Sequence, residues 1–195
     1  MPTIVFCDDS PSIENAISAL KNKDYNTAKS IYSALITKVS SNASFYYGRG
    51  MANYYLNNDN NAEKDFTQAI DLDNDMTEAY LGLALVLIQK NDYQRCLTIL
   101  NKALKNNSDR NNFYYLRGFV NYLQEDFQNA ASDFSQVIVN DRDNADALYG
   151  RAISYYRMKN YPDATADFKE LLSFNNYSEA LLLEVRRLLN VINNQ

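Results

Sequence analysis

Histidine is absent from the 195-residue sequence, and proline, glycine and cysteine are scarce, with three, five and two residues respectively. The lack of histidine removes the side chain that most often serves in acid–base catalysis and metal binding near neutral pH. Two cysteines, Cys7 and Cys96, are too few for the disulfide framework of a small secreted domain. Cys96 is expected to be a small core residue. We therefore predict no metal site and no cofactor.

The few prolines and the placement of the glycines indicate an all-α chain. A glycine inside a helix costs about 1 kcal/mol relative to alanine. Here every glycine lies in a run whose apolar residues recur at helical spacing, and none marks a turn. We therefore expect close helix–helix approach at these positions, which are Gly48, Gly50, Gly82, Gly118 and Gly150.

The charge and hydropathy of the chain exclude two classes of partner. Its net charge is −5, and no segment concentrates lysine and arginine into the basic stripe that a nucleic-acid binder needs. No apolar run is long enough to span a bilayer. The first ten residues, MPTIVFCDDS, lack the charged region and long apolar run of a signal peptide. We expect a cytoplasmic protein, although a chain whose export signal had been removed would look the same.

One segment of the sequence occurs twice, with 12 of its 25 residues identical. Residues Tyr46–Ile70 recur 68 positions later as Tyr114–Ile138, and shifts of 34 and 102 give looser copies at Tyr80–Leu104 and Leu148–Leu172. Self-similarity at a fixed period is the signature of a repeat array. The sequence therefore predicts one helical unit that is stacked several times.

Small and aromatic residues hold fixed places in this period. The eighth position of each repeat is Ala16, Gly50, Ala84, Gly118 or Ala152; the twentieth is Ala28, Ala62, Cys96, Ala130 or Ala164; the twenty-fourth is Tyr32, Phe66, Leu100, Phe134 or Phe168. In this pattern the chain resembles the tetratricopeptide repeat (TPR) family, whose 34-residue unit is a helix–turn–helix. The resemblance implies an all-α, right-handed α-solenoid of five repeats at residues 9–42, 43–76, 77–110, 111–144 and 145–178.

Two segments flank the predicted array. Residues 1–8 form an N-terminal extension that is either ordered or frayed, and Ser10 with Pro11 is expected to start the first helix. Residues 179–195 are expected to form a closing helix that covers the last apolar face, although that face could instead receive a further repeat. The proline that usually ends the second helix of the family unit is absent, so we expect less sharply defined helix ends.

Arginine and aspartate vary together within the repeats. Three repeats carry arginine at the seventh position and aspartate at the twenty-third, whereas the third repeat replaces both, with Leu83 and Ile99. We predict that each arginine reaches across to the aspartate on the second helix of its repeat and holds the carboxylate with both arms of its guanidinium. Anion binding by these arginines is the alternative. The predicted structural pairs are Arg49–Asp65, Arg117–Asp133 and Arg151–Asp167.

The family resemblance also implies a binding surface, because the first helices of TPR units line a concave groove. Transferred position by position, this groove is rich in tyrosine and apolar residues, and the glycines Gly48, Gly82 and Gly150 are expected to leave shallow notches in it. For each member a purely structural packing role remains open. The predicted groove residues are Tyr47, Met51, Tyr54, Tyr55, Leu81, Leu85, Ile88, Tyr115, Phe119, Tyr122, Tyr149, Ile153 and Tyr156.

These residues favour a protein-binding function over catalysis. The sequence contains no glycine-rich phosphate loop, metal-ligand cluster or nucleophile–base pair, so we predict that it is not an enzyme. Two binding modes of the family are not expected. The clamp for a terminal carboxylate needs polar residues where this chain is apolar, and the asparagine ladder needs asparagines that are missing. We expect the groove to hold an apolar or amphipathic segment of another protein. The alternative is self-association as a homodimer.

Overall fold

The computed structural model describes residues 12–106, 110–174 and 178–194, and all regular structure in them is α-helical. The helices are α1 (Ile13–Lys21), α2 (Tyr25–Lys38), α3 (Ala43–Tyr55), α4 (Asp59–Leu72), α5 (Thr77–Gln89), α6 (Tyr93–Asn106), α7 (Asn111–Leu123), α8 (Phe127–Asn140), α9 (Ala145–Arg157), α10 (Tyr161–Ser173) and α11 (Glu179–Asn193). Each predicted repeat contains two of them, so the predicted all-α class and the helix–turn–helix unit are confirmed.

The first helix begins later than the sequence predicts. Its N-cap is Ser12, whose hydroxyl oxygen accepts a hydrogen bond of 3.2 Å from the backbone N–H of Asn15. The prediction that Ser10 and Pro11 start this helix is therefore wrong, because Ser12 satisfies the exposed N–H groups of the first turn. Residues 1–8, Ser10 and Pro11 themselves lie outside the described residues.

The turn between the two helices of a repeat has the same backbone conformation in all five repeats. One residue in it adopts a left-handed conformation with φ between 56° and 61°, although none of these residues is glycine. The next residue is aspartate or asparagine, and Asp24 and Asp126 cap the following helix through their side chains. The left-handed residues are Lys23, Asn57, Asn91, Glu125 and Lys159.

The second helices end sharply without proline. Val39, Asp73 and Asp141 follow α2, α4 and α8 with φ between −139° and −142°, an extended conformation that cannot continue a helix. Each still donates its backbone N–H to the carbonyl four residues earlier. The expectation of poorly defined ends is wrong, because one extended residue is enough to stop the helix.

The helices form two compact units that divide between Lys90 and Asn91, inside the third predicted repeat. Within the first unit, α1 contacts α3 and α3 contacts α5; within the second, α7 contacts α9. Among the described residues of either unit, the second helices of successive repeats make no comparable contact. The first helices therefore lie on the inner side of the curve of each unit.

An aromatic ring from a second helix fills the space beside the helical glycines. A methyl carbon built on Gly50 would lie 2.8 Å from the ring of Phe66, and one built on Gly82 would lie 2.7 Å from the same ring. In the second unit, the ring of Phe134 lies against Gly118 and Gly150 in the same way. The predicted close approach at glycine is confirmed.

The end of the second unit is covered by α11. Val185 and Leu189 are buried in one apolar cluster with Leu148, Phe168 and Leu171, and Leu181, Leu188 and Ile192 pack against it. Leu183, by contrast, is 66% exposed. The predicted closing helix is therefore present and covers the apolar faces of α9 and α10.

The two glycines beside Phe134 offer a matched test of this packing. In Gly150→Ala the new methyl carbon would lie 2.7 Å from Cε2 and Cζ of Phe134, a ring only 3% exposed. We expect the free energy of unfolding to fall by about 1–3 kcal/mol, because the ring cannot move without disturbing the core.

Gly118→Ala is the control, since the nearest ring atom of Phe134 is 3.2 Å from the added carbon. Here the better helix propensity of alanine, about 1 kcal/mol, offsets the milder crowding. Urea unfolding followed by circular dichroism measures both variants. Equal losses in both would contradict the proposed packing.

Candidate functional site

The three predicted arginine–aspartate pairs are present. In Arg49–Asp65 the Nη2–Oδ1 distance is 2.6 Å and the Nε–Oδ2 distance is 3.0 Å. The Arg117–Asp133 pair has the same two-armed geometry, at 2.6 and 2.9 Å. In Arg151–Asp167 both distances are 2.8 Å. The pairing of the first and second helices of one repeat is confirmed.

Two asparagines complete these pairs, and the sequence did not predict their role. The Nδ2 groups of Asn53 and Asn121 donate hydrogen bonds of 2.9 and 3.1 Å to Asp65 and Asp133. Both asparagines are buried. They stand at the eleventh position of the repeat, where the family often has tyrosine. Asparagine occurs at this position only in repeats that also carry the arginine and the aspartate, and this association could have indicated the contact.

Two of the three arginines use a further donor within the same unit. Nη1 of Arg117 donates to Oδ1 of Asn101, and Nη1 of Arg151 donates to Oγ of Ser135. Hydrogen bonds to Asp133 raise the pKa of Arg117, although burial opposes this, so the guanidinium stays charged. These contacts favour a structural role over the alternative of anion binding.

In the first unit, two predicted groove residues of α3, Tyr54 and Tyr55, form a tyrosine cluster with Tyr25 of α2. The ring of Tyr55 stacks on Tyr25 with 4.7 Å between centroids, and Tyr54 meets Tyr55 edge-on at 5.5 Å. Tyr55 is 49% exposed and Leu85 is 40% exposed. The other predicted members in this unit are half-buried: Tyr47, Met51, Tyr54, Leu81 and Ile88.

In the second unit, five predicted groove residues line one cavity of about 240 Å³. We call it the aromatic cavity. Tyr156 is not part of it and packs against Tyr161 instead, with 6.0 Å between ring centroids. The predicted groove residues that line it are Tyr115, Phe119, Tyr122, Tyr149 and Ile153. The other lining residues are Gly150, where the sequence predicted a notch, Asp146, whose repeat position lines the groove in the family, and Phe134, which was not predicted.

In each unit a predicted groove tyrosine packs against the phenylalanine ring that fills the space beside the glycines. Tyr47 lies 6.0 Å from Phe66 and Tyr115 lies 5.8 Å from Phe134, measured between ring centroids. Burial raises the pKa of both phenols, and the nearby carboxylates of Glu78 and Asp146 raise them further. These tyrosines are therefore neutral near pH 7. Each combines a packing role with a partly exposed face.

The notches expected at glycine are not present at Gly48 and Gly82. Both glycines are buried, because the rings of Tyr32 and Phe66 occupy the space in front of them. That prediction is wrong because it considered only the first helices and not the rings that the second helices supply. At Gly150 the ring of Phe134 occupies the corresponding space, although this glycine also lines the aromatic cavity.

Three family models of the tetratricopeptide repeat match the chain, at residues 43–76, 60–118 and 122–180. The first of these ranges coincides with the predicted second repeat. Together the models cover residues 43–118 and 122–180, which include every predicted groove residue except Phe119. The chain is a tetratricopeptide repeat protein.

Solved TPR structures share this fold. MamA is 18% identical, with a TM-score of 0.75 over 82% of this chain and 87% of its own. YrrB, described as a TPR protein with an unusual peptide-binding site, is 20% identical, with a TM-score of 0.74 over 88% of each chain. A TPR protein from Parabacteroides merdae is 19% identical, with a TM-score of 0.80 over 93% of this chain and 72% of its own. At these identities the similarity shows the fold alone.

No curated protein matches the TPR chain by sequence. None of the helices that the structure describes combines the length and the apolar character needed to cross a bilayer. Within residues 12–106, 110–174 and 178–194, no three cysteine, aspartate or glutamate side chains are placed to hold a metal ion.

The third repeat supplies a natural design for testing the arginine–aspartate–asparagine contacts. It carries Leu83, Leu87 and Ile99 at the positions of the three polar residues. Asp133→Ala alone leaves Arg117 and Asn121 without their partner, so we expect it to lower the free energy of unfolding by about 2–3 kcal/mol.

The triple variant Arg117→Leu/Asn121→Leu/Asp133→Ile copies the third repeat and removes all three polar groups together. We expect its stability to lie within about 1 kcal/mol of the parent, because no buried polar group is left unpaired. Urea unfolding compares the two. A triple variant less stable than Asp133→Ala would contradict this expectation. It would show that the hydrogen bonds add net stability, and that the loss in Asp133→Ala does not come only from buried polar groups left unpaired.

Proposed function

We propose that this TPR chain is a non-enzymatic scaffold that binds an apolar or amphipathic segment of a partner protein on the tyrosine-rich surfaces of its first helices. The aromatic cavity carries this proposal most directly. Five side chains chosen from the family pattern line it together, and Phe119 among them is 38% exposed. Aromatic side chains with a polar tip are common anchors of recognition surfaces.

The chemistry of this surface decides what kind of segment fits it. Its side chains are rings and aliphatic groups, with one carboxylate and no lysine or arginine among the residues that line the cavity. A terminal carboxylate would meet no cation there, whereas apolar side chains would bury against Phe119 and Ile153. An amphipathic helix or apolar extended segment therefore fits better than an acidic tail. YrrB, a TPR protein with an unusual peptide-binding site, is a precedent for a peptide ligand on this fold.

The competing proposal is self-association, in which a second copy covers the aromatic cavity or the closing helix. Leu183 on α11 is 66% exposed and Val191 is 39% exposed, which leaves apolar surface on that helix. Light scattering over a range of protein concentrations separates the two proposals. A monomer at all concentrations excludes the homodimer. A dimer that Leu183→Glu dissociates would favour self-association through α11.

A pair of matched double variants tests peptide binding. Phe119→Ala/Ile153→Ala removes apolar contacts from the cavity wall, and we expect it to reduce retention of a displayed library of random peptides roughly tenfold or more. Val139→Ala/Leu183→Ala is the control, since these side chains are 72% and 66% exposed and line no part of the cavity. Circular dichroism checks that both remain folded. Peptide retention that the cavity variant does not change would refute the proposed function.

A further inference from the structure

The aromatic cavity contains a single charged group. Of the residues that line it, Asp146 alone carries a charge, and the others are aromatic rings, Ile153 and Gly150. Within the part of the chain that the structure describes, no lysine or arginine forms an ion pair with Asp146. The cavity therefore presents an uncompensated carboxylate beside several π-faces.

The carboxylate of Asp146 affects a tyrosine that lines the same cavity. The pKa of Tyr115 is raised first by burial and then by the charge of Asp146, which places the phenol within electrostatic reach of the carboxylate. Tyr149, on the same wall, has its pKa raised by burial and by Glu184 of the closing helix. Glu184 itself lies 3.7 Å from Arg187. Each of the two phenols therefore has a carboxylate near it.

The aromatic rings at this end of the unit already accept a cation from the chain itself. The guanidinium carbon of Arg157 lies 4.6 Å from the ring centroid of Phe127 and 5.9 Å from that of Tyr122. Its ion pair with Glu125 is long, at 3.6 Å. Cations over aromatic faces gain electrostatic stabilisation from the ring quadrupole. Arg157 does not itself line the cavity, whereas Tyr115 and Tyr149 do.

The same combination of tyrosine and acid occurs in the first unit. Glu78 stands 68 positions before Asp146 and raises the pKa of Tyr47, again after burial as the larger cause. The second position of the repeat is acidic only in the third and fifth repeats, as Glu78 and Asp146, and each follows a repeat with tyrosine at its fifth position, Tyr47 and Tyr115. The carboxylate thus accompanies the tyrosine in both units.

We propose that the aromatic cavity selects partner segments that place one lysine or arginine side chain among its rings, with the cationic group at Asp146 and apolar neighbours against Phe119 and Ile153. The methylene stem of such a side chain packs on the rings while its charge meets the carboxylate. This inference rests on the proposed peptide-binding function and adds the chemistry of the residue that is recognised.

Three synthetic peptide pools test this selection. They share random apolar positions and differ at one fixed position, which is lysine, its uncharged analogue norleucine, or glutamate. We expect immobilised parent protein to retain the lysine pool roughly fivefold to tenfold better than the norleucine pool, and the glutamate pool least. Raising the salt concentration should reduce the preference for lysine.

Asp146→Asn keeps the size of the side chain and removes its charge. We expect this variant to retain the lysine and norleucine pools equally, at the level that the parent shows for norleucine. Because Asp146 lies in the first turn of α9, its charge also interacts with the helix N-terminus. Glu179→Gln is therefore the matched control: it removes a first-turn carboxylate from α11 without touching the cavity, and should behave as the parent.

The outcomes separate the two proposals. A lysine preference that persists in Asp146→Asn, or is absent from the parent, overturns the selection. If Phe119→Ala/Ile153→Ala still loses all pools in that case, the proposed peptide binding stands without it. Retention that this double variant does not alter, or no retention of any pool, refutes peptide binding in the cavity and the selection with it.

Discussion

The packing of one aromatic ring between two glycines is the contact on which the arrangement of each unit depends. Phe66 in α4 lies against Gly50 of its own repeat and Gly82 of the next, and Phe134 in α8 is placed in the same way between Gly118 and Gly150. A methyl group at Gly82 or Gly150 would lie 2.7 Å from these rings and would hold the helices apart, whereas at Gly118 the distance is 3.2 Å. The ring thus sets how closely consecutive first helices approach.

The candidate binding surface is a consequence of this packing. Tyr115 meets Phe134 in an edge-to-face arrangement, and both rings line the aromatic cavity. Tyr47 and Phe66 have the same relation in the first unit. The arginine–aspartate pairs join the two helices of a repeat and fix the second helix that carries the ring. A change at the ring is therefore expected to alter both the stability and the wall of the cavity.

Much of the fold could be predicted from the sequence because equivalent positions of the repeats can be compared within one chain. The joint replacement of Arg and Asp by Leu83 and Ile99 in one repeat revealed a contact that no single repeat could show. The turns with left-handed Lys23, Glu125 and Lys159 were located by the period, although their conformation was not predicted, since these residues do not favour it.

The errors at the candidate site have a common physical cause, which is that they depend on groups from more than one helix. The notches expected at Gly48 and Gly82 are occupied because rings from other helices were left out of the prediction. Asn53 and Asn121 were noticed only as departures from the family, since their partner lies on the second helix. No role was predicted for the charge of Asp146, because its groove position in the repeat is also occupied by serine and asparagine, and only the neighbouring Tyr115 gives that charge a role.

The most direct test is to measure nuclear Overhauser effects from the ring of Phe134 in a sample with labelled phenylalanine, tyrosine and glycine. The packing described here predicts cross-peaks from these ring protons to the α-protons of both Gly118 and Gly150 and to the ring of Tyr115. Cross-peaks to only one of the two glycines, or none to Tyr115, would show that the ring does not join the neighbouring repeats or support the cavity wall. Either result would contradict the structural basis of the proposed binding surface.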